Sequence, residues 1–402
     1  MMCRKTFSFL FYQKNMGNIK KKILDISTIG IADITTTGIA AGFWFYLASI
    51  IGPEGYGEIT FLMSIAALGA TLSLFGAVNT LMVYSAKKVP IQSTINLLTL
   101  ISGSISSIVL FVIFLSLGTS LLVFGYIIFA LVTSDLLGKK LFKSYSKYVI
   151  IQKILMTVLS LGLYYLMGVE GVLIGMVLSY SPLLIKIVIT FREQKINFQL
   201  VKQRFNFIFS SYLETISGAL HSSLDKIIIA PLFGYYFLGN YSLSLQFYFL
   251  LIIIPTIVFK YVMPNESSGN PNIKLKKLMI IGSIGLAVIG YTVGPEIISS
   301  IFPKFQDSAN FIKIISWTVI PQTISLVHYQ SKFLSLEKSK NVFLMSLIGT
   351  IFQVIGIIIL GSIYEVEGIA IAFVLGAVGS ALTGFILDKY DNRSLSQFKL
   401  KK

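Results

Sequence analysis

The chain has 402 residues, of which 55% are hydrophobic and only 12% charged, and its formal net charge is +16. An ordinary soluble domain is nearer a quarter charged, so that class is excluded. Two histidines and a single cysteine, Cys3, exclude a disulfide framework and a His/Cys metal cluster, although not a carboxylate site.

The opening stretch MMCRKTFSFLFYQKNMGNIKKK has an apolar core too short and too interrupted for a cleavable signal peptide. Met16 is an alternative start, because MGNIKKKILDIS opens the first helix cleanly. From there, long apolar blocks alternate with short polar punctuation, which predicts transmembrane helices. Twelve spans are expected, at about 24–51, 58–85, 92–116, 119–137, 148–168, 171–190, 205–230, 237–262, 277–294, 309–331, 341–361 and 367–387. The blocks are continuous and lack the ten-residue alternation of barrel strands. Pro182, Pro255 and Pro321 fall inside spans and are expected to kink or interrupt them.

The polar segments sort by charge. Taken alternately, one set, including both tails, holds 27 of the 33 lysines and arginines; the other holds Lys304 alone, with Glu54, Glu170, Glu296, Asp307, Glu365 and Glu367. By the positive-inside rule both termini are cytoplasmic, and a miscounted span would destroy the alternation. The positive charge is therefore topological, and a nucleic-acid partner is not implied. The internal loops are short, leaving no room for an extramembrane catalytic domain.

VEGVLIGMVL begins at Val169 and VEGIAIAFVL at Val366, with six of ten positions identical and 197 residues between them. They open the sixth and twelfth spans in the same orientation. The expected fold is thus an all-α polytopic membrane protein of about 12 helices in two parallel, pseudo-symmetric halves. Such repeats are a transporter architecture, with the substrate site near the midplane. The expected organisation is a basic tail at 1–22, a six-helix half at 23–190, a basic linker at 191–204, a second half at 205–388 and a basic tail at 389–402.

Ionisable groups inside spans are costly and are functional candidates. Lys153, Lys186, Lys260 and Lys313 lie within a few turns of helix ends, where they either snorkel to the interface or line a cavity. Asp33 and Glu214 lie deeper, roughly 14 Å into the first and seventh spans. At +3, +4, +7 and +11, Asp33 is followed by Thr36, Thr37, Ala40 and Trp44, and Glu214 by Ser217, Gly218, His221 and Asp225, so each set forms one stripe. Asp33, Glu214, His221 and Asp225 are candidates for H⁺ or Na⁺ coupling; the alternative is that they are hydrogen-bonded packing residues. Lys226, with Lys153 and Lys313 behind it, is the candidate for an anionic group. As consecutive residues, Asp225 and Lys226 point about 100° apart and need not pair.

The stretch LASIIGPEGYGEITFLMSIAALGATLSLFGAVNTLMVYSAKK resembles the first helix pair of polysaccharide and O-antigen flippases of the multidrug/oligosaccharidyl-lipid/polysaccharide (MOP) exporter superfamily. The family-like outer loop is matched by Gly52, Pro53, Tyr56 and Gly57, and SSLDKIIIAPLFGYYFLGNYSLS carries a family-like Asp225, Gly239 and Tyr241. VGPEIISSIFPKFQDSANFIKIIS and VEGIAIA match further on, so the resemblance covers most of the chain in order. It implies a MATE-like fold and a multi-pass protein of the cytoplasmic membrane. It also implies flipping of a polyprenyl-phosphate-linked oligosaccharide to the outer face by alternating access, beside glycosyltransferase or polymerase partners. No enzymatic step and no cofactor beyond a coupling ion is implied. The chain departs from the family in having no arginine inside any span, which leaves open a cation-coupled exporter of small molecules. A membrane glycosyltransferase or polymerase is disfavoured, because the loops hold no Asp-x-Asp, P-loop or nucleophile–base pair.

Overall fold

The computed structural model describes the backbone of residues 2–267 and 270–400, and the side chains of residues 30–390 apart from 214, 217, 221, 264, 268 and 269. All regular structure among the described residues is helical. In chain order the elements are α1 (Met2–Leu74), α2 (Ala77–Ala86), α3 (Gln92–Phe114), α4 (Leu117–Gly138), α5 (Phe142–Ser179), α6 (Ser181–Glu193), α7 (Phe198–Lys202) and α8 (Phe205–Phe233). There follow α9 (Tyr235–Ser267), α10 (Ile273–Ile301), α11 (Ser308–Ile315), a 3₁₀ turn at Ser316–Thr318, α12 (Val319–Thr323), a π-helical segment at Ile324–Gln330, α13 (Ser331–Ser335) and α14 (Ser339–Leu400).

Seven stretches are long and apolar enough to cross a membrane. Three of them, 30–74, 142–193 and 339–390, each contain one non-helical residue, at Gly52, Gly168 and Glu365. Each therefore supplies two limbs, and α8 and the α11–α13 segment complete twelve crossings. The sequence count of twelve holds, with four outer connections compressed to single residues, Gly52, Gly168, Gly234 and Glu365, while 115–116 and 302–307 remain short loops.

The repeat is visible in the backbone. Gly168 (φ 61°, ψ −138°) and Glu365 (φ 47°, ψ −116°) immediately precede the two copies and share one rare conformation. After each, the chain doubles back on itself. A Cβ on Gly171 would collide with the carbonyl oxygen of Leu163, and one on Gly368 with that of Leu360, again 197 residues on. Only glycine admits so close a helix–helix approach. Glu170, the second residue of the first copy, caps α4: its carboxylate accepts from the Gly118 amide and, at 2.9 Å, from Ser116 Oγ. An acid suits this N-terminus because it lies at the positive end of the helix dipole.

The expected interruptions appear at Pro182 and Pro321, whereas α9 runs on through Pro255. Pro182 sits in the first turn of α6, where its missing N–H costs nothing, and α5 and α6 are separate helices at this point. Pro255 lies within α9. Pro321 is followed within one turn by the π-helical segment. Elsewhere side-chain oxygens start helices: Ser116 accepts from the Thr119 amide at 3.1 Å, and Asn272 from the Leu275 amide at 3.0 Å.

The chain divides into two compact units, residues 1–44 with 66–216 and residues 45–65 with 217–402. In the first unit α3, α4, α5 and α6 pack around small polar side chains. Gln152 Nε2 donates to Ser179 Oγ at 3.0 Å across the α5 doubling, and Ser93 Oγ donates to the Thr190 carbonyl at 2.9 Å. Without water in a bilayer, such internal partners are what buried polar groups need.

In the second unit, Asn240 ties α9 to α11: its Oδ1 accepts from the Ser308 amide at 3.0 Å, and its carbonyl from Ser308 Oγ at 2.9 Å. Residues 45–65 pack on 235–247 and 302–308 in a tight outer seal. Tyr56 and Phe305, both fully buried, meet edge to face at 5.9 Å, and Phe45 packs on Phe247 and Phe302. A Cβ on Gly57 would collide with the Tyr235 carbonyl oxygen, and a Cβ on Gly239 with that of Pro53. Gly239 lies 182 residues after Gly57, as Tyr235 does after Pro53 and Gly234 after Gly52; Gly52 and Gly234 both have positive φ, 77° and 94°. Thr60 and Ser242, at the same spacing, bond to each other at 3.2 Å. The seal is a reciprocal, pseudo-two-fold contact in which each hairpin offers the other the same surface.

Candidate functional site

The second unit contains a cavity of about 520 Å³, lined by α8, α9, the α12–π segment and α14. Its charged corner is built on α8. Asp225 is 5% exposed. Its Oδ2 accepts from the Tyr241 hydroxyl at 2.8 Å, and its Oδ1 accepts from the Lys226 amide at 2.8 Å and from Lys226 Nζ at 3.1 Å. Lys226 Nζ also donates to the Ser222 carbonyl at 2.9 Å. Asp225 and Lys226, whose consecutive positions leave pairing open, form an ion pair. The Cβ vectors of consecutive residues diverge, but the long lysine stem folds back over the preceding turn and returns its ammonium to the carboxylate. Behind the pair, Gln353 Nε2 from α14 lies 3.5 Å from the Tyr241 hydroxyl. Tyr241 is fully buried, its ring edge to face with Phe311 and Phe373. A buried charge is tolerable only when paired and hydrogen-bonded, and this network meets that condition.

The rest of the wall alternates amides, hydroxyls and aromatic faces. Gln322 and Gln330 come from the segment interrupted after Pro321, and Ser346 and Ser380 from the two limbs of α14. The π-helical segment inserts an extra residue into the turn, which changes which side chains face inward, and both Leu326 and Gln330 line the cavity. Tyr248 and Phe373 form one apolar wall, edge to face at 5.2 Å. Lys260, exposed near the end of α9, is a second cation on the lining. The arrangement can hold a neutral polar group against amides and aromatic faces while an anion sits beside Lys226 or Lys260. Among the described residues there is no group of three His, Cys, Asp or Glu side chains that could hold a metal ion.

The other residues singled out by sequence fall elsewhere. Asp33 lies in the first unit, with its carboxylate near the Tyr145 hydroxyl, and Thr36 on the same stripe is buried. The side chains of Glu214 and His221 lie outside the described residues. Lys153 is partly buried in the first unit, its Nζ 3.9 Å from Met156 Sδ, and Lys313 is exposed on α11. Neither lines the cavity that holds Lys226. Of the loop motif, Gly52, Pro53, Tyr56, Gly57 and Gly239 form the outer seal, whereas Tyr241 belongs to the cavity. Sequence reasoning missed Gln322, Gln330, Gln353 and Tyr248. The available signal was the run of glutamines inside apolar spans, uncharged and therefore overlooked in a search for ionisable groups.

The first unit has a smaller cavity of about 170 Å³ beside Gln92, Asn96, Asp135, Lys139 and Lys186. There Ser85 Oγ donates to Asp135 Oδ1 at 2.6 Å and accepts from Gln92 Nε2 at 2.9 Å, while Lys139 pairs with Asp135 at 2.7 Å.

No protein-family model and no curated protein matches the chain. Solved structures do. The chain is similar to the lipid II flippase MurJ in an inward closed conformation (TM-score 0.71, 16% identity, 90% of this chain and 87% of that chain covered). It is similar to an inward-facing multidrug resistance MATE family transporter of the MOP superfamily (TM-score 0.65, 14% identity, 93% and 99% covered). A third is a MOP superfamily transporter from Pyrococcus furiosus whose binding pocket is described as reversed in polarity (TM-score 0.56, 14% identity, 92% and 96% covered). At these identities the likeness fixes the fold alone: this multi-pass helical membrane protein has a two-half, twelve-helix layout whose fold is similar to that of MurJ and of the MATE transporters.

Proposed function

We propose that the protein is a flippase of the cytoplasmic membrane that carries a polyprenyl-phosphate-linked oligosaccharide to the outer face by alternating access. The observation that carries this reading is the cavity of about 520 Å³ in the second unit, which joins hydrogen-bonding amides and aromatic faces to two lysines. Sugars need amide and hydroxyl partners and apolar stacking surfaces, and a diphosphate needs a cation. Neither group crosses hydrocarbon unaided, because each unmet polar group costs several kcal/mol in that medium. Lys226 is the principal phosphate partner, held in place by Asp225.

The reading is tested in liposomes containing a fluorescent C55 prenyl diphosphate oligosaccharide, by following head groups accessible outside, with and without proton and sodium gradients. Wild-type protein exposes the head groups, and Lys226→Gln slows this by about tenfold or more, the loss of one charge-assisted contact. Gradient-dependent flipping abolished by Asp33→Asn and Glu214→Gln would assign those acids to ion coupling; flipping indifferent to both would reduce them to packing. The buried Asp225 supports a second reading, a cation-coupled exporter of organic cations. Gradient-driven efflux of such cations with no head-group movement would establish it and end the flippase reading.

A further inference from the structure

The two helices that bear the charged corner of the cavity each carry a second stripe. On α8, Ser222, Asp225 and Lys226 face the cavity, while Leu220 and Leu224, one helical turn apart, face a separate groove of about 240 Å³. On the first limb of α14, Ser346 and Gln353 face the cavity, while Leu347, Ile351, Val354 and Ile355 face the groove. On both helices neighbouring positions thus diverge into a polar stripe and an apolar one. Among the described residues lining the groove, the one polar side chain is Thr350, whose hydroxyl donates to the Ser346 carbonyl of its own helix at 2.9 Å. Ile351 and Ile355 are 45% and 51% exposed, so the groove is open along one side.

The seam between α8 and the first limb of α14 therefore has the polar cavity on one side and the apolar groove on the other. That is the shape complement of one amphiphile lying across it. We infer that the hydrocarbon chain of the transported lipid leaves the cavity between α8 and the first limb of α14 and lies in the Leu224–Ile351 groove while its head is held beside Lys226. This rests on the flippase reading and adds to it a path for the tail. The head can then turn over inside the protein while the chain stays in an apolar medium throughout, so only the polar end has to be rehoused.

The test uses the full-length protein in liposomes with two probes that share a disaccharide diphosphate head, one on a C55 and one on a C10 prenyl chain. Ile351→Trp fills the groove from an already exposed position, and Ile281→Trp, at a 66% exposed site on α10, is the control. Expected is a slowing of C55 flipping by about tenfold in Ile351→Trp, the loss of roughly two buried methylenes of contact, with C10 flipping and the control within about twofold of wild type. A second readout does not depend on turnover. A photoreactive benzophenone amino acid at position 351 should crosslink to the C55 probe, and unlabelled C55 phosphate should compete where phosphatidylglycerol does not. Equal C55 and C10 rates in Ile351→Trp, or crosslinking that phosphatidylglycerol abolishes, would overturn the tail path and leave the flippase standing, the groove then holding ordinary bilayer lipid. Failure of wild-type protein to move either probe would remove the flippase reading and the tail path with it.

Discussion

The outer seal and the inner cavity of the second unit use opposite packing strategies. At the seal, backbone meets backbone: Gly57 lies against the Tyr235 carbonyl and Gly239 against that of Pro53, with no room for a single methyl group. At the cavity, backbones stand apart and long side chains fill the boundary, with about 520 Å³ left over. The seal's closest contacts lie at glycines, so at Gly57 and Gly239 it is intolerant of any addition. The cavity's specificity lies in the ends of flexible side chains, so its chemistry can be retuned by substitution without moving a helix. The two devices are thus kept in different residues of the same unit.

Gly239→Val should separate the two most. The added Cβ cannot coexist with the Pro53 carbonyl, and overpacking of this kind costs about 1–3 kcal/mol or more. In a Cys3→Ser background carrying Ser242→Cys, labelling by a membrane-impermeant maleimide from outside should rise by about tenfold, the factor that 1.4 kcal/mol represents. Unchanged labelling would show that the seal is not glycine-dependent. Next in size, Thr60→Cys with Ser242→Cys should form a disulfide that stops transport until a reductant is added, since the two hydroxyls are 3.2 Å apart. Within the cavity, Tyr241→Phe removes one donor from a buried carboxylate and should lower stability by about 1–3 kcal/mol, read as a fall in the thermal midpoint in detergent with the seal intact. The smallest effect should be a gain: Glu365→Gly relieves a non-glycine residue at φ 47°, where Gly168 stands in the other copy. About 1–2 kcal/mol of stabilisation is expected from such relief, and no change in midpoint would mean that the strain is not there.

What the sequence disclosed follows the physics of each signal. Hydrocarbon thickness imposes long apolar blocks and the translocation bias imposes an alternating lysine pattern, so the twelve crossings were legible. The repeat was legible because Gly171 and Gly368 answer the same steric demand 197 residues apart. The loop glycines could be noticed but not interpreted: the seal joins residues 182 positions apart, and no local pattern reports a contact that distant. The Asp225–Lys226 pair stayed undecided in the sequence because helix geometry places Cβ atoms and not ammonium groups. The π-helical segment left only Pro321 as a trace, and the glutamines none at all to a search guided by charge. The buried Lys276–Glu266 pair at 2.6 Å, ten residues apart across the α9–α10 connection, read in sequence only as part of a basic loop.

The reciprocity of the seal has a kinetic consequence. Because Gly57 with Tyr235 and Gly239 with Pro53 are two copies of one contact around Thr60 and Ser242, a symmetric tilt that parts one parts the other by the same amount. Close contacts lose much of their attraction within an ångström of separation. The two therefore fail together, and the outer mouth has no half-open resting position. A single-molecule distance record across it should show two levels with abrupt jumps between them, in place of a gradual widening.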